Sequence, residues 1–326
     1  MYGQLSGLYL NEQQSYGTTF TGSLVNLPII NESLTVEIED LREENLRANR
    51  FGEPPFHIGV HQSKGSLSFE PLPVPLGYLL RAACGQSSSA IVAAASSYSH
   101  LFQPRNADFD ERAALPPFTL VAERDVGSAE AYSDMLVDEL RLEARHSQRI
   151  KATVTLGGGG LSAGAAIPTA ASPPGVPWPW DVTSASFGAT AMEELRAFTV
   201  GHKVSVKPVF TLTTSKTAQR VKRDGFVEVR GSGTLLLTNS VMSRMTTDFR
   251  AKTRRQFLVN FQGVSSGGRL RVDVPQMFLE SWEPRISGAE LLEVDFNFIG
   301  EYDATSSYAI EYTLVNTLSA YGPGLP

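Results

Sequence analysis

The chain has 326 residues with a formal net charge of −6, and 42% of its residues are hydrophobic against 19% charged. That length is room for about two domains, and the acidic balance excludes broad nucleic-acid coating, which needs a basic surface. The single cysteine, Cys84, excludes an internal disulfide, and no run approaches the ~18 apolar residues of a membrane helix.

The N-terminus, MYGQLSGLYLNEQQSYG, lacks the basic and apolar regions of a secretory signal, so the expectation is a chain made in a cytosol. Residues 1–30 are polar, Gly- and Thr-rich and weakly periodic, and read as a loosely held terminal segment. Leu34 to Glu39 alternates as a strand and runs into a charged stretch ending at Gly52, Pro54 and Pro55, the composition of a long hairpin tip. Phe56–Val60 and Ser66–Phe69 read as two strands around a Lys64-Gly65 turn. In Pro75 to Cys84 an early Pro, a following Gly85 and a Leu76, Leu79, Leu80, Ala83 stripe predict a helix. The low-complexity stretch 86–99 reads as loop, and Phe118–Val121 as a strand.

Met135 to Gly158 ends in strict alternation, Ile150, Ala152, Val154 and Leu156 against Lys151, Thr153 and Thr155. The pattern returns 142 residues later in Met277 to Gly300, where Leu292, Val294, Phe296 and Phe298 alternate with Glu293, Asp295 and Asn297. Pro284 falls inside the second copy and is incompatible with a helix interior, so both copies read as two strands joined by a turn. Between them, Gly157 to Pro179 has the Gly, Ala, Ser and Pro content of a linker.

After the linker the elements return in the same order. Lys203–Thr213 is strand-like, Ser215–Gly225 is a charged tip, and Phe226–Val229 and Thr234–Leu237 are strands. Ser240–Arg250 is a helix with Ser240 as its cap and Val241, Met245 and Phe249 on one face. Gln256–Phe261 is a strand. The fold class read from this pattern is all-β with minor α: two tandem β-barrel or sandwich units, each flanked by one helix. The division is an N-terminal segment (1–30), a first β domain (31–158), a linker (159–180) and a second β domain (181–326).

Motifs for chemistry are weak. Gly160-Leu161-Ser162-Ala163-Gly164 matches G-x-S-x-G, but AAIPTAASPP is a poor helix opening and only His202 follows as a histidine. His57 and His61 are spaced for a metal only on a helix; in a strand they lie ~13 Å apart. The Gly157–Gly160 run lacks the Lys-Ser/Thr of a phosphate loop. The basic cluster Lys252, Arg254 and Arg255 reads as solvated or as a partner for helix carbonyls, and Trp178, Trp180 and Trp282 as packing anchors. These residues imply no cofactor, no metal and no catalytic group.

The segment GSLSFEPLPVPLGYLLRAACG (Gly65–Gly85), then Phe118-Thr119-Leu120 and the Met135 stretch, resembles the strand–helix–strand order of siphophage tail tube proteins. The resemblance covers roughly residues 30–310 and lies in element order rather than in one invariant motif. It implies small β units, each with a flanking helix, six to a ring, and stacked rings that form the channel for genome delivery. A chain with two units then implies trimeric, pseudo-sixfold rings in a phage tail, made in the host cytoplasm and not membrane-bound. Implied partners are further copies of the chain, a tape measure protein, tail terminator and tip proteins, and DNA passing without specific binding. Glu139, Glu143, Glu293, Asp295 and Asn297 are the candidate lumen wall. The acidic tip (Glu37, Glu39, Asp40, Glu43, Glu44) and the basic tip (Lys216, Arg220, Lys222, Arg223) are candidate contacts between subunits or rings. Two other classes remain on sequence grounds, a carbohydrate- or receptor-binding β module and a hydrolase using Ser162.

Overall fold

A computed structural model describes residues 6–322 apart from 19, 21, 43–55, 86, 93–96, 105–114, 126, 166–172, 174, 213–214, 219, 264–267 and 285–291. The first half contributes β1 (Gly7–Glu12), β2 (Val25–Asn26), β3 (Asn31–Glu32), β4 (Thr35–Arg42), β5 (Phe56–Phe69), α1 (Pro73–Cys84), β6 (Ser88–Val92), β7 (Ser97–Phe102), β8 (Phe118–Glu123), β9 (Ala129–Arg145), β10 (Lys151–Gly158) and β11 (Gly160–Ala165). The second contributes β12 (Val182–Phe187), β13 (Thr190–Ala191), β14 (Leu195–Lys203), β15 (Val206–Val209), β16 (Arg220–Arg223), β17 (Glu228–Leu236), α2 (Asn239–Ala251), β18 (Arg255–Gln262), β19 (Arg269–Trp282), β20 (Glu293–Glu301) and β21 (Glu311–Asn316). The fold is all-β with minor α.

One antiparallel sheet runs through both halves in the order β4–β5–β10–β9–β14–β17–β20–β19. The N-terminal part of β9 carries β8, β1 and β2 on one side and β11 on the other. The N-terminal part of β19 likewise carries β18, β12 and β13 on one side and β21, β7 and β6 on the other.

Alternation decides the faces. Ala152, Val154 and Leu156 of β10 point inward with Leu140 and Leu142 of β9, Phe198 and Val200 of β14, and Val294, Phe296 and Phe298 of β20. Burying each large side chain removes apolar area worth ~1.5–3 kcal/mol from water. Helix α1 packs on this inner face, and Gly85 in the left-handed conformation (φ 79°) ends it, its N–H donating to the Arg81 carbonyl. Arg81 of α1 also grips Glu12 of β1 through two hydrogen bonds, 2.5 and 3.1 Å. His202 is buried beneath α1: the Tyr312 hydroxyl donates to Nδ1 (2.9 Å) and Nε2 donates to the Ala83 carbonyl (3.3 Å). Burial pushes His202 down to about 4.

Pairing registers recur between the halves. In β9–β10, Thr155 faces Glu139 and Leu156 faces Val137, which leaves Asp138 as a bulge. In β19–β20, Asn297 faces Ser281 and Phe298 faces Leu279, which leaves Glu280 as a bulge 142 residues on. Upstream the spacing is 166: Val36 faces Ser63 where His202 faces Val229, Asn31 faces Ser68 where Ala197 faces Thr234, and α1 starts at Pro73 where α2 starts at Asn239. The difference of 24 residues falls between helix and β9, where the first half carries β6 and β7.

Several sequence expectations are corrected. Lys64-Gly65 is not a turn: β5 is one continuous strand of 14 residues, because Gly65 lets the Ser33 carbonyl come within 2.7 Å of where a Cβ would sit. Phe226–Val229 and Thr234–Leu237 are likewise not two strands, since β17 runs unbroken through Glu228–Leu236. The described part of residues 1–30 is held in the fold rather than loose, since Leu8 and Leu10 of β1 are fully buried. Much of stretch 86–99 is hairpin β6–β7 rather than loop. Within the linker stretch, β11 pairs with β9, and Trp178 is fully buried with Nε1 donating to the Gly268 carbonyl (3.1 Å). Lys203–Thr213 is not one strand: Lys203 ends β14, and β15 pairs with β16 inside the charged tip. The cap of α2 is Thr238, whose hydroxyl accepts from Val241 N–H, rather than Ser240.

Candidate assembly surfaces

The outward face of the long sheet gathers the five polar side chains picked from the sequence. Glu139 and Glu143 lie on β9, and Glu293, Asp295 and Asn297 on β20, with β14 and β17 between. Each has a partner. Arg141 donates to Glu139 (2.6 Å), Arg145 pairs with Glu143, and Arg196 lies 3.4 Å from Glu293. Thr234 donates to Asp295 (2.6 Å), and Asn297 donates to Ser281 (2.8 Å). Arg230 of β17 sits between Glu228 and Glu280, 3.4 Å from each. Lys64 donates to Glu37 at the far edge and holds its carboxyl below the usual range. The face is therefore a lattice of alternating charges and hydroxyls rather than an acidic wall. Exposed pairs of this kind are worth ~0–1 kcal/mol each in stability. Their effect is on the potential, which they keep near neutral over the whole face.

Glycines shape this sheet. Gly201 of β14 lies where a Cβ would stand 2.3 Å from the Leu140 carbonyl, so the junction of β9 with β14 closes only around glycine. Gly231 and Gly65 make the same approach 166 residues apart, each 2.7 Å from a carbonyl, Thr199 and Ser33. Their surroundings, Lys64-Gly65-Ser66 and Arg230-Gly231-Ser232, are a sequence repeat that the constant offset of 142 hides.

The two charged segments flank β5 within one chain. His61 N–H donates to the Lys216 carbonyl (2.9 Å), and His61 bridges to Thr217. The basic segment thus lies along β5, whose other edge carries β4 with Glu37, Glu39 and Asp40. Arg220, Lys222 and Arg223 lie on β16, paired with β15. Glu43 and Glu44 lie outside the described residues. The hairpin region also exposes Leu212 and Phe226 almost completely, a feature no periodicity signals.

Other motifs are absorbed locally. Ser162 sits within β11 opposite Ala131, not at a strand-to-helix turn. His57 and His61 stand on β5 opposite Leu41 and Ile38. Lys252 donates to the Leu279 carbonyl and lies over the Phe249 ring, Arg255 holds buried Asp248, and Arg254 pairs with Glu301. Trp282 is buried and donates to Thr246, whereas Trp180 is exposed against His146. Among the described residues no group of His, Cys, Asp and Glu is arranged to hold a metal, and no helix is long and apolar enough to cross a membrane.

The polar, charge-paired face of the long sheet and the exposed Leu212 and Phe226 are surfaces suited to contact with other protein. Comparison with protein families agrees: the model described as phage tail tube protein matches residues 3–300. The chain belongs to the phage tail tube protein family. No curated protein matches it. As a tail tube protein it is a structural component of the virion tail that assembles with itself into a tube alongside other tail components.

Proposed function

We propose that this tail tube protein is a duplicated subunit of the siphophage type, of which three copies form a ring with six similar β units. Its two domains are the halves that meet at the β9–β14 junction. Stacked rings form the channel through which the genome leaves. The observation that carries this reading is the junction itself: seven residue pairs, from Ala197–Arg145 to Lys203–Glu139, join the halves edge to edge into one sheet. A ring extends that sheet around an axis and covers strand edges that are otherwise a liability.

The face carrying Glu139, Glu143, Glu293, Asp295 and Asn297 lines the lumen. Its paired charges suit passage of DNA, because a near-neutral wall neither traps phosphate nor repels it strongly. The tips bearing Glu37, Glu39, Asp40, Glu43 and Glu44 and Lys216, Arg220, Lys222 and Arg223 meet the next subunit or ring, with Leu212 and Phe226 adding apolar contact. Partners at the ends and inside the tube are terminator, tip and tape measure proteins. The chain acts through assembly and not catalysis.

The test is native mass spectrometry of purified, assembled chain together with images of the same sample. Rings of three chains are expected. Rings of six chains contradict the threefold stoichiometry, and a chain without rings contradicts the whole reading.

A further inference from the structure

The β9–β14 junction has two loose counterparts in the same chain. By the spacing of 166, the strand that matches β14 is β3–β4, with Glu37 at the place of Lys203, Val36 of His202 and Thr35 of Gly201. By the spacing of 142, the residues that match Glu139, Leu140 and Arg141 of β9 are Ser281, Trp282 and Glu283. Among the described residues no strand pairs with the outer edge of β4, and none with Ser281 and Trp282 on the side away from β20.

Burial separates the used edge from the open one. Val204 just beyond β14 is 1% exposed, in a small cluster with Leu136, and its N–H donates to the Asp138 carbonyl (2.7 Å). The counterpart of Val204 is Ile38, which is 57% exposed, and the counterpart of Leu136 is Phe278, which is only half-buried. An eight-residue edge strand that shows Ile38 and Leu41 to solvent is a template for another strand.

We propose that β4 of one copy pairs antiparallel with the end of β19 of a second copy of this chain, in the register of β14 on β9. This rests on the ring reading above and names the edges that close the ring. Glu37 then faces the neighbour's Ser281, Val36 faces Trp282 and Thr35 faces Glu283. Ile38 packs on the neighbour's Phe278 as Val204 packs by Leu136. The Val204–Asp138 hydrogen bond makes the adjacent Lys203–Glu139 pair a non-hydrogen-bonded one, with side chains closest. Glu37 and Ser281 inherit that geometry, which is within reach of a disulfide.

The experiment oxidises the assembled full chain carrying Glu37→Cys and Ser281→Cys, with Glu37→Cys and Asn297→Cys, one strand further from the edge, as the control; native Cys84 is fully buried. Intermolecular disulfides that stop at a closed trimer are expected for the first pair and not for the control. Rings in which the first pair fails to cross-link, or links no better than the control, overturn the edge assignment and leave the ring reading standing. A chain that stays monomeric overturns both. A second variant, Ile38→Asp, changes a side chain that is exposed in the single chain, so folding should be kept. It should raise the concentration needed for assembly about tenfold or more, because a buried apolar contact is lost. Unchanged assembly of I38D overturns the proposal.

Discussion

Helices α1 and α2 start 166 residues apart and follow strands of the same register, yet they live in different surroundings. Nine residues of α1 are buried, from Pro75 to Cys84, whereas α2 buries only Val241, Met245 and Asp248. The chain encloses α1 with parts that lie outside the recurring pattern. Hairpin β6–β7 extends the sheet beside it, and Tyr321 from the C-terminal segment stacks edge-on with Tyr78 at 5.0 Å. Helix α2 keeps an exposed face with Met242. The same strand–helix pattern is thus stabilised in two ways, one by enclosure and one by its own cap and a single apolar stripe.

The contrast is broken most strongly at Gly77. A Cβ there would stand 2.0 Å from the Tyr321 ring. Gly77→Leu should cost more than about 3 kcal/mol in urea unfolding, as overpacking of a buried site does. The matching Ser243→Leu on exposed α2 should stay within about 0.5 kcal/mol. Equal effects would mean that the two helices are not enclosed differently.

A middle-sized effect separates His202 from its counterpart Val36. Burial holds folded His202 near 4, below its unfolded value of 6.5. The unfolded chain therefore takes up a proton first as pH falls, so the stability from neutral His202 is present above pH 6.5 and is lost on the way to about 4. The loss attributable to His202 is about 3 kcal/mol. Chemical denaturation across that range should show a shallower acid slope in His202→Val than in the parent chain. The slope is the readout, because the variant also strands the Tyr312 hydroxyl. Identical slopes would contradict a neutral, desolvated His202.

The smallest effect is at the helix starts. Thr238 caps α2, but Leu72 gives α1 no side-chain cap. Thr238→Ala should lower stability by about 1 kcal/mol, while Leu72→Thr, a change at an enclosed start, should gain less than a cap is worth.

The features visible in the sequence were those with a strong period. Alternation in β10 and β20 was legible because one face of each is buried and the other wet. Strand β1 was not, because its buried run leaves no alternation to read. Strand β6 is exposed along its whole length, and its run Ala90, Ile91 and Val92 shows no alternation either. Gly65 resembled turn chemistry, but its role is to admit a neighbouring carbonyl, which only the paired strand reveals. The five polar residues of the sheet face were legible as alternating positions. Their partners Arg196, Thr234 and Ser281 were not, because they come from other strands.

The central claim is that three chains supply six similar positions around the tube axis. An electron cryomicroscopy map of the assembled tube tests it most directly. The account predicts threefold symmetry, with enclosed α1 and open α2 alternating around each ring and one sheet continuous around the lumen. A map with six chains per ring, or with the β4 edge facing solvent between subunits, would contradict it.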